Sequence, residues 1–290
     1  MIFDSIEQLV SFCEDRNKPL WGAVLEASCE EAGIDEATSR AMMRKRLDAM
    51  RSADGSYKEH DRSSSGLSGG DGAKMEKFYK SGGSIGGEFI GRILSGALRM
   101  GECNACMHRI VAAPTAGACG VIPAVLLAYA EKYSTDDDKL VNALYVTAGI
   151  GAVIAQRASI SGAEAGCQAE IGSASAMAAA ALVYLHGGTP RQMANAAAIA
   201  LKNMMGLVCD PVAGLVEVPC VKRNAAGAMN ALTAAELALA GIESKIPADE
   251  VIDTMRIVGD ALPTSLKETG MGGIAASRTG KRLKKEIFGK

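Results

Sequence analysis

Apolar residues recur at helical spacing along most of the chain, but the character of that spacing changes twice. Over residues 1–60 they return every third or fourth position between charged runs such as CEDRNK, CEEAGIDE and RKRLDAMR. This pattern predicts two or three amphipathic helices with solvated outer faces. Residues 61–87 lose the periodicity and are dense in Ser and Gly. Such backbone turns tightly, either as a flexible linker or as a loop packed against something small. From residue 88 onward Ala, Gly, Val, Ile, Leu and Met dominate.

Helix boundaries are clearest in this last part. Thr189 followed by Pro190 supplies an N-cap and a first-turn proline, and Gly206 stands where a C′ glycine belongs, which predicts a helix over 190–205. Pro247 opens another, with acids in its first turn, Ile252, Met255 and Val258 on one face, and Gly259 as its expected end. Residues 140–156 and 173–185 are apolar nearly all round and read as buried helices whose small residues let neighbours approach closely. Strand signals are confined to residues 121–123 and 215–218, and each touches a proline that argues against a central strand. The expected fold is mainly α: buried helices joined by Gly-rich functional loops. Residues 1–60 form a charged N-terminal helical segment and 61–290 one further domain, with no internal repeat.

The 290 residues carry a formal net charge of -2, 4% aromatics and no basic block. That composition leaves no electrostatic footprint for nucleic acid and no polybasic helix for a membrane surface. The opening MIFDSIEQLV has acids where a secretory signal carries basic residues. The two most apolar stretches fall short of the roughly 20 residues that cross a bilayer. The expectation is a soluble cytoplasmic protein without nucleic-acid or membrane partners. In a reducing compartment its eight cysteines serve as thiols or metal ligands rather than disulfides.

Cys167, Cys209 and Cys220 share a context that the other five lack. They lie in Gly166-Cys167, Cys209-Asp210-Pro211 and Pro219-Cys220, all loop-forming neighbourhoods beside predicted helices. Three thiolates from such loops suit three corners of an iron–sulfur cluster with one iron left open as a Lewis acid. The same positions suit buried thiols acting as small hydrophobes, and spacing alone leaves both readings open. Cys103 and Cys106 form a CxxC without the strand context of a redox site or a second CxxC to complete a zinc site. Cys119 is undecided; Cys13 and Cys29 read as structural.

The segments RIVAAPTAGACGVIP (109–123), SISGAEAGCQAE (159–170), LKNMMGLVCDPVAGLVEVPCVKRNA (201–225) and LKETGMGG (266–273) resemble the iron–sulfur-dependent L-serine dehydratases, most closely the α subunit of the two-chain form. The resemblance runs from about Gly66 nearly to the C-terminus. It implies a 4Fe-4S cluster on Cys167, Cys209 and Cys220, no pyridoxal phosphate, and conversion of L-serine to pyruvate and ammonia. In the chemistry it implies, a base takes the α-proton and the open iron takes the β-hydroxide. It further implies substrate contacts from the glycine-rich segment, through the amides of Ser68, Gly69 and Gly70 acting as an anion nest, and from the ProThrAlaGly loop through Thr115 and Gly117. The family's serine- and histidine-rich motif is missing here, which implies a separate β subunit. No cysteine follows Cys220 to cap the open iron.

Lys202 and Lys222 are candidate cations near two of these cysteines, with surface lysines as the alternative. His108 is a candidate base, although the family usually has a small residue there. The rival functions are a lyase acting on threonine or cysteine, a cluster-binding regulatory subunit, and a helical scaffold with buried thiols.

Overall fold

The computed structural model describes residues 3–289. Its helices are α1 (Ile6–Asp15), α2 (Leu20–Ala32), α3 (Glu36–Gly55), α4 (Asp71–Lys80), α5 (Gly87–Ala105), α6 (Val121–Tyr133), α7 (Asp137–Arg157), α8 (Gly162–Ala165), α9 (Ser173–Leu185), α10 (Pro190–Met204), α11 (Cys220–Leu239), α12 (Ala248–Ala261) and α13 (Arg278–Phe288). Among the described residues there is no strand, only one parallel bridge between Cys209 and Lys267. The protein is mainly α.

Local chemistry sets many of the helix starts. Ser5, Asp35, Asp136, Thr189 and Ser277 each accept a hydrogen bond from the amide three residues on, which satisfies an N–H that the helix leaves unpaired. At Thr189 the Gln192 side chain closes a reciprocal capping box. Helix α10 stops at Met204, and Gly206 takes a left-handed φ of 83° just beyond it. Helix α12 runs through Gly259 to Ala261 and stops where Leu262 turns extended before Pro263. Gly259 is therefore no cap; a Cβ there would lie 2.5 Å from Ala165 Cβ, so the missing side chain lets α8 and α12 touch. Residues 121–123 open α6, where the proline's missing N–H costs nothing, and residues 215–218 form a turn into Pro219.

Helix α9 is the centre of the core, with every residue except Tyr184 buried, and α6, α7, α10 and α11 pack around it. Its six alanines allow this crowding because a methyl group is all that separates neighbouring backbones. Helix α7, 21 residues long, is apolar enough to cross a membrane by length and composition, but α2, α3 and α9 pack on it. The charged helices join the same body: α1 lies on α10 and α12, and α2 and α3 lie on α7. Between α3 and α7 the buried hydroxyls of Ser39 and Tyr145 share a 2.7 Å hydrogen bond.

Residues 61–87 are not a free linker. They contain α4, which lies along α5 so closely that a Cβ at Gly91 would collide with Tyr79.

Candidate functional site

Cys167 precedes a wide helical turn over Gln168–Gly172 that runs directly into α9, and Cys220 is the first residue of α11. Both thiols therefore stand at the positive end of a helix, where a thiolate is favoured. Gln168 stitches the first segment to the second: its amide donates to Leu207 O (2.9 Å) and its Oε1 accepts from Gly206 N (2.8 Å). This brings Cys209 to Cys167. Gly166 makes the approach possible with φ 78°, since a Cβ there would lie 2.8 Å from Leu207 O. Cys209 N in turn donates to Leu266 O (2.9 Å), and Glu268 N donates to Cys209 O (2.8 Å).

The sulfurs of Cys167 and Cys209 and a carboxylate oxygen of Glu170 all lie within 4.8 Å of one another. All three cysteines are buried. Arg223, one turn along α11 from Cys220, reaches Cys167 Sγ (3.4 Å), Val208 O (2.9 Å) and Asp210 Oδ1 (2.8 Å). A hydrogen bond from Cys209, helped by the Arg223 charge, holds the Cys167 thiol below its ordinary value; the same bond drives Cys209 upward, and burial adds to it. Burial pushes Cys220 up to about 12, and the charges of Cys167 and Glu170 act in the same direction. Burial also raises Glu170, against the hydrogen bond from Thr115.

The ProThrAlaGly loop is fastened to that carboxylate. Thr115 Oγ1 donates to Glu170 Oε1 and accepts from Ala118 N (3.3 Å). A Cβ at Gly117 would collide with Glu170 Oε1, so glycine is what leaves the carboxylate its place. Asn224 of α11 donates to both Gly117 O (2.7 Å) and Cys220 O (3.0 Å), which ties this loop to the third cysteine.

The Ser-Gly segment is folded on itself. Ser63 N donates to Ser68 O (3.0 Å), and Ser68 N donates to Ser63 Oγ (3.2 Å). At the start of α4 the amides of Asp71 and Gly72 donate to the buried Glu102 carboxylate at 2.7 and 3.1 Å. Tyr57 donates to the same carboxylate (2.6 Å) and accepts from Ala73 N (3.3 Å), with the Gly70 amide also turned toward its hydroxyl. The amide of Ser68 is thus not free, in contrast to the open nest expected of Ser68, Gly69 and Gly70. Buried N–H groups at a helix start require acceptors, and here the chain supplies its own.

The model of the serine dehydratase alpha chain family matches residues 15–275. The chain belongs to that family. It is 47% identical over 288 residues to the probable L-serine dehydratase alpha chain of Bacillus subtilis (strain 168), covering 99% of this chain and 96% of that one. It is 42% identical over 288 residues to the L-serine dehydratase alpha chain of Peptoniphilus asaccharolyticus, covering 99% of each. The L-serine dehydratase of Mycobacterium tuberculosis (strain CDC 1551 / Oshkosh) is 51% identical over 185 residues, 62% of this chain and 40% of that protein.

In this serine dehydratase alpha-chain member the lysines singled out by sequence point elsewhere: Lys202 donates to Ser244 Oγ (2.8 Å) and Lys222 pairs with Asp71 (2.9 Å). The cation at the thiols is Arg223. His108 pairs with Asp61 (3.1 Å). Cys103 and Cys119 are buried, with their sulfurs on the carbonyls of Ala53 (3.7 Å) and Met100 (3.6 Å). Burial raises them to about 11 and about 12.

Proposed function

We propose that this chain is the α subunit of an L-serine dehydratase that works in the cytoplasm with a separate β chain, converting L-serine to pyruvate and ammonia. One observation carries the reading: Cys167, Cys209 and Glu170 meet at the start of α9, with Cys220 at the neighbouring start of α11. The names of the Bacillus and Peptoniphilus relatives support the substrate, and the words "alpha chain" in them support a β partner.

The donor set fits an iron–sulfur cluster. Thiolates are soft ligands suited to iron–sulfur centres, and Cys167, Cys209 and Cys220 would hold three irons of a 4Fe-4S cluster. Gly162 supports this fit, because a Cβ there would sit 3.1 Å from both Cys209 Sγ and Glu170 Oε2 and crowd the ligand side. When bound, a cluster with one iron free of thiolate supplies Lewis acidity that stabilises hydroxide as a leaving group, with no pyridoxal Schiff base required. The chain's own residues do the rest of what is proposed for it. Arg223 offsets the negative charge gathered by the thiolates, and Glu170 fixes Thr115 and Gly117. The segments around Ser68, Gly69 and Gly70 and around Thr115 and Gly117 form the walls against which serine is oriented.

Anaerobically purified protein is expected to be brown, to contain iron and sulfide, and to make pyruvate from L-serine once the β chain is added. Cys209→Ser is expected to lose iron and turnover together while remaining folded. A folded, colourless, iron-free anaerobic preparation refutes the cluster, and unchanged iron in Cys209→Ser refutes that ligand. Preferential turnover of threonine or cysteine in competition with serine refutes the substrate.

A further inference from the structure

Glu217 lies in the arch between Cys209 and Cys220 and is 7% exposed. Among the described residues no lysine or arginine forms an ion pair with it. Its partners are hydroxyls instead: Ser63 Oγ donates to it at 2.6 Å, and Ser65 Oγ donates to its two oxygens at 2.8 and 2.9 Å. The same hydroxyls organise their own loop, because Ser63 Oγ accepts from Ser68 N (3.2 Å) and Ser65 Oγ accepts from Leu67 N (3.0 Å). Each serine thus passes a hydrogen bond from a loop amide to one carboxylate, in the direction that strengthens both links. On its other side Glu217 is fixed by main-chain bonds: its N–H donates to Leu215 O (2.7 Å), and its carbonyl accepts from Val221 N (2.9 Å) in the first turn of α11. A buried carboxylate without a counter-cation is costly to keep. A fold that needed only a tether would be served by a neutral amide.

We infer that Glu217 is a positioning residue: it clamps the 63–68 segment to the cysteine-bearing arch and so holds the Ser68–Gly70 backbone where L-serine binds. The substrate part of this inference rests on the function proposed above; the clamp itself does not. Glu217 acts through Ser63 and Ser65, so its loss is expected to weaken substrate binding far more than turnover and to leave the metal ligands intact.

The test uses the complete α and β complex, prepared anaerobically, with Glu217→Ala, Glu217→Gln and a Ser63→Ala/Ser65→Ala double variant. Glu217→Ala is expected to raise KM for L-serine by about tenfold to a hundredfold, the loss of one or two hydrogen bonds to a charged group, while kcat changes by less than about threefold. Iron and sulfide content should match the unaltered protein. Amide hydrogen exchange at residues 65–68 should quicken by at least about tenfold. Glu217→Gln, which still accepts one hydroxyl and donates to the other, should recover part of the KM. An unchanged KM with iron intact overturns the inference, as does unchanged exchange in the loop. If Glu217→Ala does not fold, the serine double variant decides by the same readouts from the loop side. Failure of the serine reading shows as no pyruvate from the unaltered complex, whereas failure of the clamp shows in the exchange, which needs no turnover.

Discussion

Arg223 is the residue whose removal most directly tests how the cysteine cluster is held. Its guanidinium and the Asp210 carboxylate are 16% and 4% exposed and lie 2.8 Å apart. Arg223→Met deletes three contacts at once: those to Cys167 Sγ, Val208 O and Asp210. Asp210 is then left buried with the amide of Ile274 (2.8 Å) as its remaining partner. Breaking a buried pair by removing one member costs about 3–5 kcal/mol, because the other charge stays desolvated. That is a large share of the roughly 5–15 kcal/mol that holds a domain folded. At about 2 °C per kcal/mol for a chain of this size, the melting temperature should fall by roughly 6–10 °C. The assay is thermal unfolding of the metal-free chain under reductant and argon, so that iron binding does not enter the comparison. Asp210→Asn in the same background removes the orphaned charge, and the double variant should regain at least half of the loss. A fall of less than about 2 °C in Arg223→Met, or a double variant no more stable than the single, would refute the view that this pair is a buried, mutually dependent ion pair.

Gly117→Ala tests the second loop. The backbone there needs no left-handed φ, so the alanine acts through its Cβ, which displaces Glu170 and breaks the Thr115 contact. A destabilisation of about 1–3 kcal/mol is expected, with a raised KM for serine; unchanged melting and KM would show that Glu170 moves aside without consequence. Acid stability should depend on Asp137, which Arg51 grips through both oxygens at 2.6 and 3.0 Å. The Arg51 hydrogen bond holds the Asp137 carboxyl below its usual range. Its contribution is therefore fully present above about pH 4 and lost as pH falls through the folded-state value. Arg51→Gln should lower the stability at pH 7 by less than about 1 kcal/mol, read from the shift of the thermal unfolding curve, since both side chains are more than a third exposed. The difference from the unaltered protein should shrink as pH drops below about 4; a difference constant from pH 7 to 3 would refute the assignment.

The helices that sequence predicted well are those with purely local causes. Residues 173–185 form a helix with the expected bounds because small apolar residues fill it from end to end, and Thr189 starts α10 because its cap is complete within four residues. The site partners were harder to see because they depend on side-chain direction. Residues 215–218 carried a weak strand signal, so the start of α11 was hidden, and with it the fact that Lys222 turns out to Asp71 while its neighbour Arg223 turns in to Cys167. One signal could have found the carboxylates. Residues 165–235 contain just three acids, Glu170, Asp210 and Glu217, in a run otherwise apolar or uncharged apart from a few basic residues, and all three stand at the cysteine segments or the loops beside them. An acid kept in so apolar a stretch needs a partner or a task. The anchoring of the α4 start had no such signal: Glu102, which takes the amides of Asp71 and Gly72, comes from 30 residues away on α5.

The cysteine segments are assembled largely by bonds that involve no sulfur. Main-chain or amide hydrogen bonds join 168 to 206–207, 209 to 266 and 268, and Asn224 to the carbonyls of 117 and 220. The amide of Gly120 adds a further bond to Asn224 Oδ1 (2.8 Å). Small metal-dependent domains lack such a framework and unfold when the metal leaves. Here the framework is continuous with α9 and α11, whose packing into the core is set by alanine and leucine rather than by the site. The three thiols are thus positioned by bonds that need no ligand, which would preorganise the cluster site proposed above. For the same reason Cys209→Ser is expected to separate two properties that a zinc finger cannot separate: it would remove the proposed cluster donor while leaving the main-chain bonds of Cys209 to Leu266 and Glu268 in place.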